Sequence, residues 1–343
     1  MNTPTHPAIR TTTPMRTIGR TFAALACASV LLALTACSSA PPGPVTPQPP
    51  GSPATGGPGG TRMPPPQPTS SSGGATVAVA APDPTRSQTL YLWEEGNVPA
   101  TTVYTENTGG YADGPDFRPT LTSVPVPAGT PVRGAVLLNS GGAFRFRGNQ
   151  REGFPVAEEL SRRGYQSFVV DYRLVPYTQQ EGALDLARAV RFVRTHADAF
   201  GLDGDDIAVM GFSAGGILAG EMLLNFAGAV NGDSLDPDYR PDALDQVSAD
   251  AAAAGMVYSF YGRLSVASTD VEKFRSAALP PTYFSYGTRD PFVRQFELCV
   301  DALRQAGVPV ESVPLDGMPH GYGATGGWIP AYDDWLTDVF QAN

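Results

Sequence analysis

The stretch around position 213 constrains this chain more than any other. An apolar, β-prone run at residues 206–210 meets a helix-forming run at 216–225 through the pentapeptide Gly211-Phe212-Ser213-Ala214-Gly215. A strand that turns into a helix within so few residues leaves little space around the corner, which is why small residues are needed at both ends of the pentapeptide. The turn puts Ser213 in a strained backbone conformation and lifts its hydroxyl off the sheet. It also sets that hydroxyl at a helix N-terminus, where backbone N–H groups and the helix dipole favour developing negative charge. This context marks Ser213 as a nucleophile; the alternative is a tight turn whose serine is incidental.

The flanking sequence repeats the strand-then-helix theme. Residues 88–93 and 121–126 alternate like half-exposed early strands, and residues 133–139 form the continuous apolar run of a buried parallel strand. A helix over 154–163 closes at Gly164, a strand follows at 166–171, and an amphipathic helix carries Leu184, Ala187, Val190 and Val193 on one face across 182–199. Later strands are expected at 253–260, 282–286 and 309–313, with a helix over 292–306. Such alternation predicts an α/β fold with a mainly parallel, doubly wound sheet. In such sheets the active site lies beyond the carboxyl ends of the strands.

A serine hydroxyl needs a base to take its proton. Beyond the N-terminal segment the chain has two histidines, His196 and His320. His196 ends a long helix and reads as a dipole-favoured surface residue. His320 lies in the glycine-rich loop 316–323 just after the last strand, at the end of the sheet where a partner for Ser213 belongs. An acid must fix the tautomer of that histidine. Asp290, in a loop just past a strand, is the candidate; Asp316 competes but reads as a turn initiator. The Ser140-Gly141-Gly142-Ala143-Phe144 loop permits close backbone approach after a strand, and with the Ala214 amide it makes a plausible oxyanion hole. A plain Gly-Gly turn is the other reading of that loop.

The segments Gly141–Phe144, Asp171–Pro176, Gly211–Gly216, Gly287–Pro291 and Pro319–Gly323, in that order, resemble α/β-hydrolase serine esterases. The likeness is greatest to the bacterial acetyl-xylan-esterase-like or carbohydrate esterases. The resemblance implies an α/β-hydrolase fold of about eight strands without a large lid, and a triad of Ser213, Asp290 and His320 in that family's chain order. It also implies an oxyanion hole from Gly142, Ala143 and Ala214, no metal or cofactor, and short acyl esters, acetyl groups on carbohydrate among them, as substrates. One position departs from the pattern: Ser140 stands where the family commonly has a histidine that orders the oxyanion loop. The acidic insert at 231–248 either rims the pocket or is a plain surface loop. Two rival functions stay open, an exopeptidase-like serine hydrolase of the same fold and a non-catalytic binding module.

The N-terminal region reads differently. Residues 1–36 carry Arg10, Arg16 and Arg20 ahead of a short apolar core, the pattern of an export signal with its start at Met1 or Met15. Leu34-Thr35-Ala36-Cys37 resembles a bacterial lipobox, which implies cleavage before Cys37 and its lipidation; an ordinary secretory signal is the alternative. Residues 37–75, dominated by Pro, Gly, Ser and Thr, cannot bury a core and are expected to be a tether, spanning roughly 35 Å as a coil and up to about 120 Å extended. Residues 76–343 hold the single catalytic domain. The expected place is the cell envelope, lipid-anchored after export across the inner membrane, with Ser38 permitting outer-membrane sorting in a two-membrane host. A net charge of −10, more negative once the signal arginines leave, argues against nucleic acid as a partner. Cys299, the one cysteine beyond Cys27 and Cys37, reads as a small core residue.

Overall fold

The computed structural model describes residues 82–105 and 109–343. The expected export signal, lipidated Cys37 and tether lie outside the described residues. Ten strands run β1 (Thr89–Tyr91), β2 (Thr120–Val124), β3 (Gly134–Asn139), β4 (Tyr165–Asp171), β5 (Ile207–Phe212), β6 (Ala253–Val257), β7 (Gly262–Arg263), β8 (Val266–Ala267), β9 (Thr282–Gly287) and β10 (Val310–Leu315). Seven helices accompany them: α1 (Phe154–Arg162), α2 (Gln179–Thr195), α3 (Ala197–Phe200), α4 (Ala214–Asn225), α5 (Val271–Ser276), α6 (Val293–Ala306) and α7 (Ile329–Ala342).

Eight strands form one sheet in the order β1-β2-β4-β3-β5-β6-β9-β10. The β1–β2 and β2–β4 pairs are antiparallel and the rest of the sheet is parallel. This is the α/β architecture expected from the sequence, with helices flanking the sheet and, among the described residues, no large lid insertion. The central strands β3 and β5 are buried along their whole length. That is why they read as unbroken apolar runs, whereas β2 alternates and the edge strand β10 is only half-buried.

Local chemistry sets several boundaries away from where periodicity put them. Helix α2 starts three residues earlier than the apolar face suggests, because Thr178 and Glu181 form a reciprocal capping box. The same run breaks at His196, whose φ of −107° leaves helical geometry, so α3 is a separate turn closed by Gly201 at φ 68°. Strand β6 stops at Val257, short of residue 260, because Tyr258 takes φ 38° and turns the chain off the sheet. After α1 the chain reverses through Gly164 at φ 100°, where a side chain would lie 2.5 Å from the Pro131 carbonyl oxygen. Helix α7, which the sequence reading did not place, buries Ile329, Tyr332 and Leu336. Cys299 is fully buried, and burial pushes its thiol up to about 12, as suits a core residue.

Residues 231–248 form short 3₁₀ turns packed on α2. Arg188 of α2 pairs with Asp242 and lies 3.5 Å from Asp245, and Tyr239 donates to Asp245 at 2.6 Å. The insert therefore braces a helix, and among the described residues none of it lines the cavity at Ser213. Among the described residues, no helix is long and apolar enough to cross a membrane.

Candidate active site

The corner between β5 and α4 is as tight as its glycines imply. Ser213 sits at φ 49° and ψ −121°, a conformation that L-residues seldom adopt. A Cβ on Gly211 would fall 2.3 Å from the Gly215 backbone, and one on Gly215 would fall 2.0 Å from the Asn139 carbonyl oxygen. Backbone lies on both sides of these contacts, so neither can relax by a side-chain rotation. The serine hydroxyl makes no capping bond to its own helix and is left for another partner.

That partner is His320. Its Nε2 lies 2.9 Å from Ser213 Oγ, and its Nδ1 lies 2.6 Å from Asp290 Oδ2. The imidazole comes from the loop after β10 and the carboxylate from the loop after β9, both at the carboxyl end of the parallel strands. The two loops press together, so that a Cβ on Gly287 would sit 2.0 Å from the Met318 carbonyl oxygen. Asp290 has a side chain 0% exposed, and its other oxygen accepts the Phe292 amide at 2.8 Å, which fixes the carboxylate plane. The rings of Tyr258 and Phe292 stand edge-on to the imidazole at 5.0 and 5.5 Å. Asp316 instead accepts from the hydroxyl of Thr288, in the loop after β9, at 3.2 Å. His196 is spent on its own helix, with Nδ1 at 2.8 Å from the Phe192 carbonyl oxygen.

The loop after β3 runs beside this array. Gly142, Ala143 and Phe144 take φ of 136°, 52° and 59°, and among the described residues the amides of Gly142, Ala143 and Ala214 donate to no protein acceptor. Gly141 backs onto the serine, where a Cβ would meet Phe212 O at 2.8 Å and Ser213 Cβ at 2.9 Å. Ser140 holds this loop through its backbone only. Its carbonyl accepts the Tyr172 hydroxyl at 2.6 Å, while its own buried hydroxyl has no partner among the described residues.

Two residues at the site escaped the sequence reading. Glu152, just ahead of α1, is buried and accepts the Gly141 amide at 2.5 Å and the Tyr258 hydroxyl at 2.8 Å. Burial raises its carboxyl above the ordinary glutamate value, and the hydrogen bonds from Tyr258 and Gly141 oppose that rise only in part. Tyr258 also receives the Gly323 amide at 3.3 Å. A glutamate three positions after a Gly-Asn pair carries no local signature, and its contact with Tyr258 spans 106 residues.

A cavity of only about 20 Å³ opens at the serine, lined by Ser213, Ile217, Tyr258, Leu264, Phe292 and His320 among others. Leu264 reaches it from the turn between β7 and β8, a hairpin of two-residue strands. A larger hollow of about 460 Å³ lies between residues 95–104 and 115–118 on one side and Arg173 and Tyr177 on the other, and touches none of Ser213, His320 and Asp290.

Comparison with known proteins fits this geometry. The BD-FAE family model matches residues 126–278. Acetylxylan esterase of Xylanibacter ruminicola is 33% identical over 85 residues, which is 25% of this chain and 18% of that protein. Endo-1,4-beta-xylanase B of Butyrivibrio fibrisolvens is 35% identical over 100 residues, 27% of this chain and 16% of that protein. The chain thus spans less than a fifth of either relative. Among solved structures, an acetyl ester-xyloside bifunctional hydrolase from Caldicellulosiruptor lactoaceticus superposes with a TM-score of 0.56 at 23% identity, covering 74% of this chain and 97% of the other. The resemblance is to α/β-hydrolase esterases. It is distant and partial, and the structural likeness is one of fold. This consistent likeness supports a serine-hydrolase type of enzyme.

Proposed function

We propose that this chain is a serine carboxylic-ester hydrolase for short acyl groups, acting through Ser213, His320 and Asp290. The observation that carries the reading is the hydrogen-bonded line from Ser213 Oγ through the imidazole to a dry carboxylate, 2.9 and 2.6 Å long. Ser213 Oγ attacks the ester carbonyl while His320 Nε2 takes its proton, and Asp290 holds the tautomer and favours the cation that forms. The carbonyl oxygen, now negative, moves into reach of the Gly142, Ala143 and Ala214 amides; one such donor contributes about 3 kcal/mol to the transition state. His320 then protonates the departing alcohol, and water attacks the acyl-enzyme by the same route in reverse.

The acyl side is argued from volume. A space of about 20 Å³ walled by Ile217, Leu264 and Phe292 favours short acyl groups over long ones. A carbohydrate alcohol is favoured by the acetylxylan and acetyl ester-xyloside names among the relatives. The test is hydrolysis of p-nitrophenyl acetate, butyrate and octanoate beside Ser213→Ala. Turnover that falls with chain length and vanishes in the variant supports the reading. Turnover equal in both overturns it and leaves a peptidase or binding role.

The N-terminal sequence supports a lipid anchor at Cys37 with the catalytic domain held at the cell envelope on the Pro/Gly-rich tether. Cys37→Ser is expected to shift the protein from the membrane to the soluble fraction; retention in the membrane would refute the anchor.

A further inference from the structure

The departure at Ser140 leaves a mechanical problem. An oxyanion loop works only if its amides are held in place before the charge appears. Three consecutive residues of this loop have positive φ, two of them non-glycine, so the loop is strained and needs an external hold. Ser140 offers none through its side chain.

We propose that Glu152 and Tyr258 are positioning residues, a buried brace that sets the oxyanion loop in register with the His320 loop and does the ordering that the hydroxyl of Ser140 does not. The inference rests on the esterase reading of the site. One carboxylate oxygen of Glu152 holds the Gly141 amide, next to the peptide that presents Gly142. The other receives the Tyr258 hydroxyl. Tyr258 carries the link onward in two ways. Its oxygen accepts the Gly323 amide from the loop bearing His320, and its ring stands edge-on to the imidazole at 5.0 Å. The chain of contacts joins both halves of the machinery without touching the reacting atoms.

Tyr258 is itself held against its preferences. Its φ of 38° is unfavourable for an aromatic residue, and Ser259, the next residue, donates its hydroxyl to the Ser213 carbonyl at 2.6 Å. The turn after β6 is therefore tied to the elbow, the imidazole loop and, through Glu152, the oxyanion loop. A glutamate buried at this point, with its carboxyl raised by the loss of water, is costly to keep unless its hydrogen bonds serve the site.

The brace makes a kinetic prediction distinct from a packing role. Tyr258→Phe keeps the ring against the imidazole and removes only the hydroxyl; Glu152→Gln keeps the shape and removes the charge. Each is expected to lower kcat for p-nitrophenyl acetate at least tenfold while KM stays within about twofold, since the amides matter most once the oxyanion forms. The double variant is expected to fall little further than the worse single, because the two act as one unit. Should Glu152→Gln fail to fold, Tyr258→Phe alone decides. Folded variants with kcat within twofold of wild type, or with loss confined to KM, overturn the brace. A wild type no faster than Ser213→Ala overturns the esterase reading instead.

Discussion

The strain at Ser213 can be measured apart from the chemistry it serves. At φ 49° and ψ −121° the residue has the dihedral angles of the first central position of a type II′ turn, where glycine is at home and other residues are not. A non-glycine residue held there costs of order 1–3 kcal/mol. Ser213→Ala and Ser213→Gly both delete the hydroxyl and its bond to His320, and neither loses a capping bond, since the serine makes none. They differ in whether a Cβ remains. Glycine relieves the strain but loses about 0.5–1 kcal/mol through the greater freedom of its unfolded chain. The net gain over alanine is then about 0–2.5 kcal/mol, or up to about 10 °C in Tm for a domain of this size. Paired thermal melts of the two inactive variants give the answer. A glycine variant that melts below the alanine variant would falsify the claim that the corner stores strain.

Two further outcomes follow from other parts of the structure. Leu264→Ala widens the cavity at the serine from a hairpin that carries none of the catalytic groups, so the rate ratio of butyrate to acetate esters is expected to rise several-fold; an unchanged ratio would remove Leu264 as a wall of the acyl pocket. Burial alone would push the carboxyl of Glu181 up, but hydrogen bonds from the hydroxyls and amides of Thr102 and Thr178 hold it below the ordinary range. A depressed value means stability that is present above the unfolded glutamate value, about 4.3, and lost as pH falls through the folded one. Glu181→Gln is therefore expected to melt below wild type at pH 7, with the gap closing in acid; a gap that does not change with pH would contradict this.

The parts that were legible in the sequence share a physical reason. Strands β3 and β5 are buried on both faces, so their composition alone gives them away. The Ser213 corner announces itself because backbone on all sides forbids anything larger than glycine at 211 and 215. His320 and Asp290 could be named because they are a histidine and a carboxylate placed just past strands, and the structure brings both to Ser213. What stayed hidden depends on contacts distant in sequence or on single dihedral angles. Nothing near Tyr258 says that its backbone will leave the sheet three residues before the apolar run ends. Glu152 looks like one more acidic residue ahead of a helix until Gly141 and Tyr258 are seen on either side of it. Helix α7 hides behind its opening Trp-Ile-Pro, although Pro330 in the first turn is a common way to start a helix.

The β7–β8 hairpin has a significance beyond its size. The groups that would break an ester are fixed by the great sheet, where almost any replacement collides with backbone. One wall of the cavity at Ser213, Leu264, hangs from two short strands and an exposed turn, and is 47% open to solvent. A larger side chain at 264 meets solvent, whereas one at 211 or 215 meets backbone. On the esterase reading, variation at this turn is expected to alter the acyl preference while Ser213, His320 and Asp290 stay in place.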